Sequence, residues 1–238
     1  MTDFKKIFLL GVGFTDAKEQ QVLEYIATGL QKNEEKYYVV TPNPELLVIA
    51  NKDLRYKTIL NNAELALIDG IGVVMALWLI GKGFKQRLAG VDLMESLCKY
   101  VSKQPITVGF LGGGVGVAEL TAECLIKKYP GLRVGLISKE WDESLEDKKV
   151  DILFVAFGSP KQEIWISENL KNLPVKTAIG VGGAFDLASG KVPRAPKFLR
   201  GLGLEWLFRL TVQPWRIKRQ LSLIKFVYLV FKEKFNRK

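Results

Sequence analysis

Short β-rich runs alternate with helical patterns along most of the chain, and this alternation restricts the fold more than any other feature. Strands are expected at 7–10, 37–40, 65–68, 106–111, 133–137, 152–156 and 177–181. Helical periodicity fills 16–31, 45–60, 73–79, 91–102, 117–128 and 162–169. Such a pattern predicts an α/β fold, a doubly wound, mostly parallel, Rossmann-like sheet covered on both faces. Several strands run into polar or glycine-rich turns: Gly11-Val12-Gly13, Thr41-Pro42-Asn43, Asp69-Gly70, Gly112-Gly113-Gly114, Gly158-Ser159-Pro160 and Gly182-Gly183. In an open parallel sheet these turns gather at the carboxyl edge, where ligands bind, so a site built from strand ends and helix N-termini is expected.

Charge divides the chain. Residues 191–238 hold thirteen Lys/Arg against Glu205 and Glu233, whereas residues 1–190 hold 22 basic and 23 acidic residues. We therefore expect a near-neutral body over 1–193 and a cationic helical appendage over 194–238. Charge localised in this way suits a polyanionic partner: a phosphorylated lipid surface, nucleic acid or a diphosphate substrate. The hydrophobic fraction of 48% argues against disorder over the body. Cys98 and Cys124 have no metal-ligand spacing and read as reduced core residues of a cytosolic protein. The chain has no histidine. Histidine general bases, the Ser/His triad and most zinc sites are thereby excluded, and proton transfer near neutral pH falls to a carboxylate, Tyr, Lys or Cys. The first ten residues hold too short an apolar run for a signal peptide, and no stretch of about 18 uncharged apolar residues occurs, so no membrane-spanning helix is expected.

Asp69 ends the apolar run Leu65-Ala66-Leu67-Ile68, so its carboxylate is expected at the lip of the sheet. A partly desolvated Asp there suits a general base, and a helix N-cap or a turn aspartate is the plain alternative. Thr41 holds the equivalent place on another strand, with Asn43 expected to cap the helix that starts near Pro44. Gly112 and Gly113 open a turn where backbone N–H groups and a helix dipole can meet a phosphate; a tight packing turn explains them equally well. In Gly158-Ser159-Pro160-Lys161-Gln162-Glu163, Lys161 can neutralise a phosphate and Gln162 can hydrogen-bond a base or sugar. An ordinary helix start accounts for Pro160 and Glu163 as well.

Beyond Pro214, Ile217, Leu221, Ile224, Tyr228, Phe231 and Phe235 recur at steps of four and three and form one helical stripe, with Lys218, Lys225 and Lys232 beside it. Leu223, Phe226 and Val230 lie off that stripe. A basic, aromatic helix of this length suits a membrane interface, and a core or oligomer contact is the alternative.

Taken in order, Thr41-Pro42-Asn43-Pro44-Glu45, Asp69-Gly70, Arg87-Leu88-Ala89-Gly90-Val91-Asp92, Phe110-Leu111-Gly112-Gly113, the run from Val155 to Trp165, Gly180 to Asp186 with Ser189-Gly190, Arg194-Ala195-Pro196, and Glu205-Trp206 through Arg219 resemble the WecG/TagA/CpsF family, glycosyltransferase family 26. The likeness is strongest to the wall teichoic acid branch. It implies an inverting, metal-independent transfer of N-acetylmannosamine from a UDP-sugar donor to the 4-hydroxyl of N-acetylglucosamine on undecaprenyl diphosphate, with no cofactor. Carried over by motif, Asp69 is the base, Thr41 its polar partner, Arg87 a substrate holder, and Gln162 a neighbour of the donor. Arg209, Arg216 and Arg219 match the arginines of the family's C-terminal appendage, which folds over the active site at the membrane. No Asp-x-Asp pair is present to hold a metal, and arginines can instead neutralise a diphosphate.

The implied setting is cytoplasmic, peripheral to the inner face of an anionic membrane, with a polyprenyl-diphosphate-linked acceptor and self-association as a further possibility. Relatives using N-acetylmannosaminuronic acid or glucose define a first alternative. The second, nucleic-acid binding through the basic tail, is disfavoured by the apolar stripe that interleaves the charges.

Overall fold

The computed structural model describes residues 4–31 and 35–236, without the side chains of residues 31 and 218–220. Two residues singled out above, Lys218 and Arg219, therefore have side chains outside the described residues. In chain order the elements are β1 (Lys6–Leu9), β2 (Val12–Thr15), α1 (Glu19–Gln31), β3 (Tyr37–Val40), α2 (Pro44–Lys52), α3 (Leu54–Asn62), β4 (Leu65–Ala66), α4 (Ile71–Leu79) and α5 (Gly90–Val101). There follow β5 (Thr107–Gly112), α6 (Val117–Lys128), β6 (Arg133–Ser138), β7 (Val150–Ala156), α7 (Lys161–Asn169), β8 (Val175–Gly180), α8 (Ala184–Ala188), α9 (Lys197–Gly201), α10 (Glu205–Val212) and α11 (Ile217–Asn236).

Six strands form a parallel sheet in the order β4-β3-β8-β7-β5-β6. Its central strands are buried on both faces, so they read as continuous apolar runs. Side chains still alternate between two cores. From β7, Leu153 and Val155 join Leu46, Leu60, Leu77 and Ile166 on one face. Ile152 and Phe154 join Ile26, Leu97, Ala122 and Phe185 on the other. This is the doubly wound arrangement expected from the alternation.

Two local expectations fail. The first strand is not part of the parallel sheet, and Gly11-Val12-Gly13 is not at its carboxyl edge. Instead β1 and β2 pair antiparallel, with Leu9 opposite Val12. The two-residue turn between them needs positive φ at both positions, and Leu10 (φ 53°) and Gly11 (φ 77°) supply it. The hairpin caps the short edge strand β4, where Ala66 N–H donates to Thr15 Oγ1 at 3.1 Å. The single helix expected over 45–60 is two helices, because Asp53 is extended and its carboxylate accepts from Tyr56 N–H at 3.1 Å, capping α3.

The last helix docks through the face that the six-residue stripe leaves out. Phe226, Leu229 and Val230 are buried in the first core, while Ile217, Leu221, Ile224, Tyr228, Phe231 and Phe235 are all exposed. Burying such side chains contributes roughly 1.5–3 kcal/mol each, enough to hold the helix against α2 and α4. Its far end is fixed to the hairpin turn, where Leu10 N–H donates to Glu233 Oε2 at 2.8 Å. Among the described residues no helix is long and apolar enough to cross a membrane. Cys98 is buried and Cys124 half-buried, both as free thiols.

Candidate active site

A cavity of about 600 Å³ opens at the carboxyl ends of four adjacent strands, β4, β3, β8 and β7, and is walled by α4, α10 and α11. Thr41, Asn43, Asp69, Arg87, Gln162, Arg209 and Arg216 all line it. Residues far apart in sequence, from Thr41 to Arg216, are thus gathered by the exits of neighbouring strands and by the appendage.

Asp69 is placed by backbone pairing that continues past the formal end of β4. Leu67 N–H donates to Val40 O (2.8 Å), Asp69 N–H to Pro42 O (3.2 Å), and Leu88 N–H to Ile68 O (2.8 Å). The first two bonds hold Asp69 beside the Thr41-Pro42 turn, and the third brings Arg87 alongside. The following helix is capped by Gly70 with no side-chain cap bond, so Asp69 does not serve as its N-cap. The carboxylate keeps some surface open to the cavity while protein atoms surround it. Burial pushes its pKa from 3.8 up to about 6, with Arg87 and Arg209 pulling it down and Glu205 and Asp92 pushing it up. A carboxylate poised there is a competent proton acceptor near neutral pH.

Thr41 is buried, and its hydroxyl donates to Gly180 O at 3.3 Å. The N-terminus of α5 comes against the same point. A Cβ on Gly90 would lie 3.2 Å from Val181 O and 3.3 Å from Thr41 Oγ1, so the close approach calls for glycine. Asn43 caps α2, its Oδ1 accepting from Glu45 N–H (3.0 Å) and Leu46 N–H (3.2 Å). Gln162 is buried and held at both ends of its amide. Its Oε1 accepts from Gly182 N–H at 2.9 Å, while its Nε2 donates to Glu163 Oε1 at 2.7 Å and Ser159 Oγ at 3.2 Å. Glu163 is equally buried and also accepts from Ser159 Oγ (2.8 Å) and Tyr56 OH (3.1 Å). Burial raises its pKa against the pull of those donors. Its position in the first helical turn suggests a dipole partner; the fold makes it the acceptor that orients Gln162, and only the polar cluster at the β7 exit hints at this.

Ion pairs also tie the segment from Arg194 to Glu205 to the rest of the chain. Arg194 pairs with Asp92, and reaches Glu205 at 3.6 Å and Glu95 at 3.8 Å. Arg200 lies 3.9 Å from Asp92, Arg87 lies 4.0 Å from Glu205, and Arg87 Nη2 donates to Arg200 O at 3.5 Å. Arg209 comes so near the β8 exit that a Cβ on Gly183 would lie 3.0 Å from its Nη2. Arg216 Nη1 donates to Gln213 Oε1 at 2.8 Å and faces the same cavity. Sequence reasoning assigned no role to Arg194 or Glu205, although both lie in the blocks that carried the resemblance.

Gly112, Gly113 and Lys161 are not among the residues that line this cavity. Strand β5 lies one place beyond β7, so its exit falls outside the four-strand span. A Cβ on Gly112 would sit 2.8 Å from the Ala156 carbonyl carbon, and one on Gly113 would meet Val117 at 3.2 Å, so both glycines serve close packing. Lys161 points to solvent at the start of α7.

The profile of the glycosyl transferase WecG/TagA/CpsF family matches residues 7–238. The chain is similar to proteins named N-acetylglucosaminyldiphosphoundecaprenol N-acetyl-beta-D-mannosaminyltransferase from three species. With that of Bacillus spizizenii it is 35% identical over 226 residues, covering 92% of this chain and 88% of that protein. With that of Bacillus subtilis it is 35% identical over 207 residues, covering 84% and 81%. With that of Staphylococcus aureus it is 32% identical over 238 residues, covering 96% and 93%.

Proposed function

The chain belongs to the WecG/TagA/CpsF glycosyltransferase family, and from that premise we propose that its cavity moves N-acetylmannosamine from a UDP donor to N-acetylglucosamine on undecaprenyl diphosphate. The relatives' shared name and the match over nearly the whole chain support this reading, which belongs to teichoic acid biosynthesis. The observation that carries the chemistry is Asp69, a carboxylate with its pKa raised to about 6, in one cavity with Arg87, Arg209 and Arg216.

In the proposed step the Asp69 carboxylate takes the proton of the acceptor 4-hydroxyl as that oxygen attacks the anomeric carbon of the donor sugar. The bond from that carbon to the diphosphate breaks on the opposite face, which inverts the centre, and UDP leaves with the bonding pair. Arg209 and Arg216 are positioned to meet the charge on the departing diphosphate. Thr41 and Gln162 hold the β8 exit turn from two sides, which fixes the wall against which the sugars would rest. Residues 194–238 act as the element that completes the site. The exposed stripe on α11 supports a peripheral position on a bilayer that presents the lipid-linked acceptor.

The test is to incubate UDP-N-acetylmannosamine with a lipid-diphosphate N-acetylglucosamine acceptor, with and without chelator, and to follow disaccharide-lipid and UDP. We expect chelator-insensitive transfer by the parent protein and a loss of ~10²–10⁴-fold for Asp69→Asn. Undiminished activity of that variant would remove Asp69 as the base. Preferential turnover of the corresponding uronate donor would reassign the sugar.

A further inference from the structure

A second surface, on the globular body, joins aromatic rings to lysines. Trp78 and Phe84 stack with centroids 5.5 Å apart and ring planes at 20°, yet they remain 49% and 67% exposed. Two large rings stacked in water leave apolar area that a partner phase can cover. Lys82 and Lys85, from the same segment as Phe84, line a hollow of about 170 Å³ with Lys5, Lys6 and Phe8 of the first hairpin. Asp16 pairs with Lys85 at 2.9 Å, which leaves the cluster cationic. Met75 and Trp78 also line the large cavity, together with Val227 and Phe231 of α11. The patch is therefore continuous with the rim of the cavity, where α4 and α11 both contribute to the wall.

We propose that residues 5–8 and 78–85 form a second contact with an anionic bilayer, so that the cavity mouth is held against the membrane at two places. This rests on the reading that the acceptor is a membrane lipid. Aromatic rings settle at the boundary of headgroups and acyl chains while lysines meet anionic headgroups. One amphipathic helix can roll about its axis, whereas two separate contacts fix orientation and raise retention multiplicatively. A lipid-linked diphosphate then reaches Asp69 without its chain leaving the bilayer. The charge pattern disfavours a second copy of the chain, since a two-fold contact would set lysines against lysines.

The test uses the full-length protein and vesicles of phosphatidylcholine with about a third phosphatidylglycerol, beside phosphatidylcholine alone. Lys5→Glu/Lys82→Glu and Phe84→Ser should each weaken partition to the anionic vesicles by roughly tenfold or more. Neither should alter turnover of a water-soluble, short-chain acceptor, because none of these residues lines the large cavity. Circular dichroism checks the fold, and the milder Lys5→Gln/Lys82→Gln pair replaces any variant that does not fold. Partition equal to the parent's for both variants overturns the proposal. It is also overturned if the charge reversals change the sedimentation coefficient of the protein alone while vesicle binding stays intact. Absence of short-chain turnover in the parent would instead count against the transfer reaction, and the partition result would stand apart from it.

Discussion

Glu205, the first residue of α10, lies 4.0 Å from Arg87, so the helix that carries Arg209 is tied by charge to the neighbour of Asp69. Glu205 also pushes the Asp69 pKa up toward about 6. Replacing it with Gln removes that push. The acid limb of the kcat/KM profile, which tracks the base in the free enzyme, should move to lower pH. A limb that stays in place or moves up in Glu205→Gln would contradict this electrostatic account.

Arg209 acts on the same carboxylate with the opposite sign. Arg209→Ala should move the acid limb to higher pH and lower kcat by ~10²–10³, the scale for loss of one preorganised donor to a developing anion. A change confined to KM, with kcat retained, would place Arg209 in ground-state binding alone.

Asp69→Asn should stabilise the protein while removing its activity. The folded pKa of about 6 lies above the unfolded value of 3.8, so the folded state holds the proton more tightly. Stability from this group is then full below pH 4, declines as pH rises to about 6, and stays low above it, a difference on the order of 3 kcal/mol. At pH 7.5 the Asn variant should melt several degrees higher than the parent, and the gap should shrink toward pH 4. Equal melting temperatures at pH 7.5 would show that the Asp69 carboxylate is not strained by burial.

Glu163→Ala strips a common acceptor from Tyr56, Ser159 and Gln162, all in or beside the core. The expected loss is ~2–4 kcal/mol of unfolding free energy by urea titration. Gln162, no longer oriented, should release the Gly182 N–H, so kcat should fall as well. A variant with parental stability would show that water satisfies the three donors.

Phe226 and Ile224, two residues apart on α11, face opposite phases. Phe226→Ala should cost ~3–5 kcal/mol, read as a lower melting temperature. Ile224→Asp, at a site 72% exposed, should leave melting unchanged and weaken binding to anionic vesicles. Similar effects of the two on melting would mean that the helix is docked by a different face.

The sheet was legible because strands such as 152–156 are buried on both sides and so stand out as apolar runs between amphipathic helices. Strand Tyr37–Val40 and helix Val117–Lys128 coincide with their expectations. The hairpin was hidden because its turn uses Leu10 at positive φ, where periodicity and composition carry no signal. Asp53 was hidden inside a run whose apolar spacing continues across it. Among site residues, those at strand exits could be read from the rule that binds ligands to the carboxyl edge. The span of the cavity could not, since it depends on β5 lying outside β7. The docking face of α11 was also illegible: its middle is apolar nearly all round, and the choice is made by the surface that α2 and α4 present.

The hydrogen bond from Leu10 N–H to Glu233 joins residues 223 positions apart. With Phe226, Leu229 and Val230 seated in the core, it makes α11 a beam clamped at midspan and at its far end. Such a beam does not swing clear as a flap.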